Sequence, residues 1–202
     1  MLQKSILENK EIVIAQDGEV ILYPTFFSHQ ESESLLLNLE RKIAWRQDYI
    51  KIHGKTLPVP RLTAFYGEPN ITYTYSRITM HSQGWIPELL DIKERIEPLA
   101  QVNFNSVLLN LYRTGRDSMA WHSDDEPELG KNPAIASVSF GETRRFMLKH
   151  KYSRDLSNIS VDLTSGSLLL MQGSTQHFWQ HQIPKTRKPI DRRINLTFRT
   201  IR

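Results

Sequence analysis

From residue 104 onward the chain is a succession of short β-rich runs cut apart by turn residues, and this pattern restricts the fold more than any other feature. The runs are Phe104–Tyr112, Ile135–Phe140, Arg145–His150, Ser160–Leu163, Ser167–Met171, His177–Gln182 and Arg193–Thr200. Between them stand Gly115, Gly141-Glu142, Ser165-Gly166, Gly173 and Pro184. Many short strands at this spacing close into a sandwich or barrel. Two helices are expected before them. Ser28-His29-Gln30-Glu31 has capping-box spacing, and Leu35, Leu36, Leu39 and Ile43 follow at helical intervals, which predicts a helix over Ser28–Lys42. A second starts at Pro87, carries Leu89, Leu90 and Ile96 inward, and ends near Pro98. The expected class is mainly β with flanking helices (α+β), braced by the two helices of the N-terminal half.

Asp48 to Trp85 mixes Gly, Pro and many aromatics with weak periodicity. It reads as short strands and long loops, the kind of segment that forms a substrate-recognition lid. No repeat or linker divides the 202 residues, so one domain spanning 1–202 is expected. The chain has no cysteine. That excludes disulfides, thiolate zinc sites, iron–sulfur clusters and a cysteine nucleophile, and leaves His and carboxylate as metal ligands. Met1–Gln16 lacks the apolar run of a signal peptide, and no uncharged stretch approaches membrane-spanning length, so a cytoplasmic location without membrane contact is expected. The net charge of +4 permits a polyanionic partner without requiring one.

The last run alternates. Ile194, Leu196 and Phe198 share one face; Arg193, Asn195, Thr197 and Arg199 share the other. An ordinary half-exposed strand would look the same. The alternative is a barrel whose interior binds an anion, since two guanidinium forks flanking Asn and Thr suit a dicarboxylate. Asn110 and Tyr112 likewise share a face. His122-Ser123-Asp124 is the sole His-x-Asp, a weak signal alone. It gains weight from the histidine and the arginine-bearing strand that follow. Two histidines and a carboxylate on one face of Fe(II) leave three positions open, two for a chelating 2-oxo acid and one for dioxygen. His177 and His181 are four apart, would face the same way on a straight strand, and both qualify as the third ligand. His29, His53, His81 and His150 read as solvated surface histidines.

Asn110-Leu111-Tyr112, His122-Ser123-Asp124-Asp125-Glu126, Ile135–Gly141, Thr175-Gln176 with Trp179-Gln180-His181, and Arg193–Arg199 together resemble the AlkB family of Fe(II)/2-oxoglutarate nucleic-acid dealkylases. The resemblance covers about Pro60 to the C-terminus. It implies a double-stranded β-helix, or jelly roll, with its core over 104–200 and 48–85 as nucleotide-recognition lid. It also implies iron on His122, Asp124 and His181, favouring His181 over His177. 2-Oxoglutarate would be held by Asn110, Tyr112, Arg193, Asn195, Thr197 and Arg199, with Arg193, Tyr112 and Asn195 at its distal carboxylate and Arg199 nearer the chelating end. Oxygen is the second co-substrate. The implied reaction hydroxylates an N-alkyl group of a base such as 1-methyladenine or 3-methylcytosine, and the product collapses to an aldehyde and the repaired base. The base must be flipped out or already unpaired.

On this reading Tyr73 and Tyr75 line the base pocket, and Glu126 favours a cationic base. Arg61 lies near the phosphates or the base. His53 stands where duplex-preferring relatives carry an apolar-aromatic finger, and Lys51 and Lys55 beside it suit phosphates. The expected partner is alkylated DNA, single- or double-stranded, with RNA as an alternative, and a monomer acts on it. Three readings compete: a 2-oxoglutarate oxygenase of RNA, protein or lipid; a non-enzymatic nucleic-acid-binding β-domain; and a hydrolytic zinc site, which leaves the paired arginines without a role.

Overall fold

A computed structural model of the chain describes residues 9–52, 54–75 and 78–202. Two antiparallel sheets face each other. The larger has seven strands in the order β1 (Glu11–Ile14), β2 (Glu19–Tyr23), β13 (Leu168–Gln172), β10 (Ile135–Gly141), β15 (Arg193–Arg199), β8 (Ser106–Tyr112) and β5 (Leu62–Gly67). The smaller runs β12 (Ile159–Leu163), β11 (Arg144–His150), β14 (Trp179–Ile183) and β9 (Met119–His122). Two hairpins, β3 (Tyr49–Ile52) with β4 (Lys55–Pro58) and β6 (Thr72–Tyr75) with β7 (Ile78–His81), stand outside both sheets.

The period-2 pattern of the central strands decides what each face does. Ile194, Leu196 and Phe198 on β15, Leu109 and Leu111 on β8, and Ala136, Val138 and Phe140 on β10 all enter one core. Across that core lie helix α1 (His29–Lys42) and helix α2 (Pro87–Ala100), through Leu39, Leu89, Ile92 and Ile96. Each fully buried Leu, Ile or Phe side chain there contributes on the order of 2 kcal/mol from apolar burial. The opposite face of the same strands, Arg193, Asn195, Thr197, Arg199, Asn110 and Tyr112, looks toward the smaller sheet. The last strand thus serves the core with its even positions and a polar interior with its odd ones.

The predicted helix at Ser28 forms with its capping box. Ser28 Oγ accepts from the Glu31 N–H at 3.3 Å, and Glu31 Oε2 accepts from the Ser28 N–H at 2.8 Å. Ser28→Ala is expected to cost about 1 kcal/mol, read as a lower thermal midpoint with unchanged ligand binding. α2 differs from expectation: it passes through Pro98 and ends at Ala100, with the Gln101 N–H donating to Glu97 O at 2.8 Å. A proline in the last turn removes one intrahelical donor near the end, where little of the ladder remains to be broken.

Two further expectations are corrected. His177 and His181 do not share a straight strand: Thr175–Phe178 forms a single helical turn, α3, and the strand begins only at Trp179. His150 is no solvated surface residue. Its Nδ1 accepts from the backbone N–H groups of Tyr152 and Ser153, its ring stacks on Phe178 at 5.8 Å, and Nε2 lies 3.3 Å from Asp17 Oδ2. Within the 48–85 stretch, β5 is the edge strand of the large sheet, so only the hairpins on either side of it are free of the sandwich.

Candidate functional site

His122 closes β9, Asp124 follows it by two residues, and His181 lies in the middle of β14, directly opposite His122 in the strand register. One ligand atom from each converges within 4.8 Å of the other two. The rings of His122 and His181 meet edge to face at 4.2 Å. The His122 Nδ1–H donates to Ala120 O at 2.9 Å, which turns Nε2 toward Asp124 Oδ1, 3.8 Å away. Burial pushes both imidazoles toward the neutral form, His181 down to about 3. Neutral imidazole is the form that ligates metal. His177, by contrast, is exposed on its helical turn.

Asp124 is held from two sides. Its backbone N–H donates to Gln176 Oε1 at 2.9 Å, and its carboxylate takes a 2.9 Å bond from Arg199 Nη2. Burial alone would raise its pKa; Arg199 and the two histidines overcome that and keep it well below the usual carboxylate range. Arg199 is raised in turn, because the attraction of Asp124 outweighs its burial.

A cavity of ≈50 Å³ lies between the sheets. Its walls include all three of these ligand candidates and all six residues expected at the co-substrate: Asn110, Tyr112, Arg193, Asn195, Thr197 and Arg199. Arg193 is fully buried. Its Nη2 donates to Ser139 Oγ at 2.9 Å and its guanidinium carbon lies 5.2 Å from the Tyr112 ring centroid, yet Nε and Nη1 have no partner of hydrogen-bond geometry among the described residues. Burial lowers its pKa to about 10. A buried cation so thinly compensated is costly unless an anion arrives to pair with it. Asn195 Nδ2 donates to Ser137 Oγ at 2.8 Å, and the Thr197 hydroxyl donates to Asn195 Oδ1 at 3.1 Å, which fixes the floor of the cavity. The residues present therefore fit a divalent metal beside an anionic ligand.

The residues expected at the substrate fall into three groups. Arg61 is buried: its Nε donates to Asn110 Oδ1 at 2.7 Å, and it lines a second, largely apolar cavity of ≈310 Å³. That cavity shares Leu108 and Met119 with the first. Tyr73 is 0% exposed, packed between Phe65 at 5.9 Å and the Arg199 guanidinium carbon at 5.3 Å, so its faces are covered and only its hydroxyl end reaches Glu126. Burial, then Asp124, raises the Glu126 pKa. Asp125 is solvated and pairs with Lys151 at 3.1 Å. His53 lies outside the described residues, as does the side chain of Tyr75.

In the sequence Ser137, Ser139 and Gln176 stand only inside motifs, with no role of their own; in the fold they hold Asn195, Arg193 and Asp124 in place. For the serines the signal existed. Ala136-Ser137-Val138-Ser139-Phe140 alternates as β15 does, with its apolar positions in the same core.

With this geometry the comparisons with known proteins agree. A family model described as the 2OG-Fe(II) oxygenase superfamily matches residues 19–199. Alpha-ketoglutarate-dependent dioxygenase alkB homolog 3 of Rattus norvegicus is 43% identical over 201 residues, covering 95% of this chain and 68% of that protein. DNA oxidative demethylase ALKBH2 of Homo sapiens is 36% identical over 197 residues, covering 93% and 76%. The solved structure of OsALKBH1 superposes with a TM-score of 0.64 at 18% identity, covering 94% of this chain and 100% of that one, a likeness of fold. A jelly roll with two histidines and a carboxylate beside arginine-lined space, matched over nearly its whole length by these relatives, belongs to the AlkB family of Fe(II)- and 2-oxoglutarate-dependent dioxygenases.

Proposed function

We propose that the chain oxidatively removes N-alkyl groups of the 1-methyladenine and 3-methylcytosine type from DNA, with iron on His122, Asp124 and His181. The observation that carries this reading is the convergence of those three groups on a cavity whose opposite end holds a buried, under-partnered Arg193. The substrate class rests on relatives whose names give DNA oxidative demethylation, and on the larger apolar cavity beside the smaller one.

When bound, iron and 2-oxoglutarate supply the oxidation: the co-substrate leaves as succinate and carbon dioxide, and the alkyl carbon gains a hydroxyl. The chain contributes position and charge. Arg193, with Tyr112 beside it, receives the distal carboxylate, since a guanidinium fork matches a carboxylate in two bonds. The Ala120 carbonyl fixes the His122 tautomer, an orienting role typical of groups behind a metal ligand. Gln176 and Arg199 fix Asp124. The two packed sheets keep water from the cavity. The Glu126 carboxyl, facing Tyr73 and close to Asp124, attracts a base that alkylation has made cationic. The hairpins flanking β5, Tyr49–Pro58 and Thr72–His81, cover the nucleotide.

Two measurements test the reading. Manganese(II) with 2-oxoglutarate at a hundredfold excess over Kd should stabilise the protein by ~2.7 kcal/mol, a thermal shift of roughly 5–10 °C at this size, and a chelator should remove it. Formaldehyde release from methylated single-stranded DNA, duplex DNA and RNA then ranks the substrates. His181→Ala is expected to lose both signals and His177→Ala to keep both. Stabilisation without formaldehyde from any of the three nucleic acids would refute the dealkylation reading.

A further inference from the structure

Arg144 opens β11 and is 2% exposed. Its Nη2 donates to two backbone carbonyls, Asp117 O at 2.9 Å and Pro184 O at 2.8 Å, and so ties the loop before β9 to the loop after β14. Its Nη1 is buried and has no hydrogen-bond partner among the described residues. Its guanidinium carbon lies 5.4 Å from the centroid of the Tyr112 ring, the same ring that Arg193 approaches to 5.2 Å. Two buried guanidiniums therefore lie against one tyrosine ring.

No carboxylate among the described residues forms an ion pair with either. Asp117 lies near enough to attract Arg144 but gives its hydrogen bonds to Arg113, 2.7 Å to Nε and 3.0 Å to Nη2. Desolvating a guanidinium costs several kcal/mol, and neutral carbonyls repay only part of it. Tying two carbonyls together needs a single neutral donor group; a glutamine amide would serve. The full charge of Arg144 is in excess of that structural task, and it is placed where it adds to the charge of Arg193. Arg144 does not line the cavity.

Building on the proposed function, we propose that Arg144 is a positioning residue for the co-substrate. It packs against the Tyr112 ring and adds a second positive charge near the Arg193 end of the cavity, so that the site selects a 2-oxo acid whose far end is anionic. The ligand class is a short dicarboxylate. The same field holds succinate, which keeps that carboxylate.

The test compares Arg144→Gln, which keeps a donor for the carbonyls, with Arg144→Lys, which keeps the charge. Binding of 2-oxoglutarate, of succinate and of 2-oxopentanoate, which ends in a methyl group, is measured on the manganese-loaded protein by tryptophan fluorescence. Arg144→Gln should weaken 2-oxoglutarate and succinate about tenfold, leave 2-oxopentanoate unchanged, and raise KM for 2-oxoglutarate more than it lowers kcat. Arg144→Lys should restore most of the dicarboxylate preference. Equal weakening of all three acids would mean a merely structural role and overturn the proposal, as would no weakening of any. If the parent protein binds no 2-oxoglutarate, the proposed function itself falls, a result distinct from either of those.

Discussion

Arg193→Met is expected to remove nearly all affinity for 2-oxoglutarate while leaving the ligand-free protein as stable as the parent or more so. Nε and Nη1 of Arg193 are unpartnered among the described residues, the bond from Nη2 goes to a neutral hydroxyl, and burial has already lowered the pKa to about 10. In the free protein the charge is a burden. Replacing an uncompensated buried charge with an apolar side chain of similar length is neutral or stabilising. With the co-substrate present the balance reverses, because the distal carboxylate then faces no cation. Loss of such a buried charge pair costs roughly 2–5 kcal/mol, a factor of about 30 to several thousand in Kd. Calorimetric titration reads the affinity and thermal unfolding reads the stability. A variant that unfolds easily but binds normally would mean that Arg193 serves the core.

Asp124→Ala should do the opposite to the free protein. It deletes a metal ligand, so activity falls to background. It also strands Arg199, whose Nη2 spends its bond on Asp124 Oδ1 in a fully buried setting. Removing one partner of a buried pair costs about 3–5 kcal/mol, which for a chain of this size lowers the thermal midpoint by roughly 6–20 °C. The pH dependence follows from the depressed pKa of Asp124, which Arg199 and the histidines hold down against burial. A depressed carboxylate contributes stability above its unfolded pKa of about 4, and that stability is lost as pH falls through the lower folded value. Metal-free parent protein should therefore lose stability below about pH 4 more steeply than Asp124→Ala. Parallel acid curves would show that the pair contributes nothing to the fold.

Much of this site is legible in residue order because the central strands obey period 2 without interruption. On β15 the alternation of Ile194, Leu196 and Phe198 with Arg193, Asn195, Thr197 and Arg199 is enough by itself to separate the core face from the cavity face. The Ser28 capping box announces α1 for an equally local reason. The choice between His177 and His181 is not local. It turns on one helical turn at Thr175–Phe178, which the run Thr175-Gln176-His177-Phe178-Trp179 does not advertise, and only the family resemblance points to His181. β1 and β2 escape a sequence reading although Val20-Ile21-Leu22-Tyr23 is an apolar run between Gly18 and Pro24; β2 joins the sheet through β13, almost 150 residues away in sequence. Tyr73 shows the limit on the substrate side. Its spacing from Tyr75 suggests a stacking platform, but Phe65 and Arg199 occupy its faces, and Arg199 comes from a strand more than a hundred residues further along the chain.

The most direct test of the central claim follows the fate of one base and one co-substrate together. A single-stranded oligonucleotide carrying 3-methylcytosine is incubated with the iron-loaded protein, 2-oxoglutarate and air, and the oligonucleotide mass, formaldehyde and succinate are measured in the same sample. The expected result is loss of one methylene mass per strand, with one formaldehyde and one succinate formed for each, and none of the three with His122→Ala. Succinate accumulating at the same rate with and without the methylated strand, whose mass stays unchanged, would contradict it.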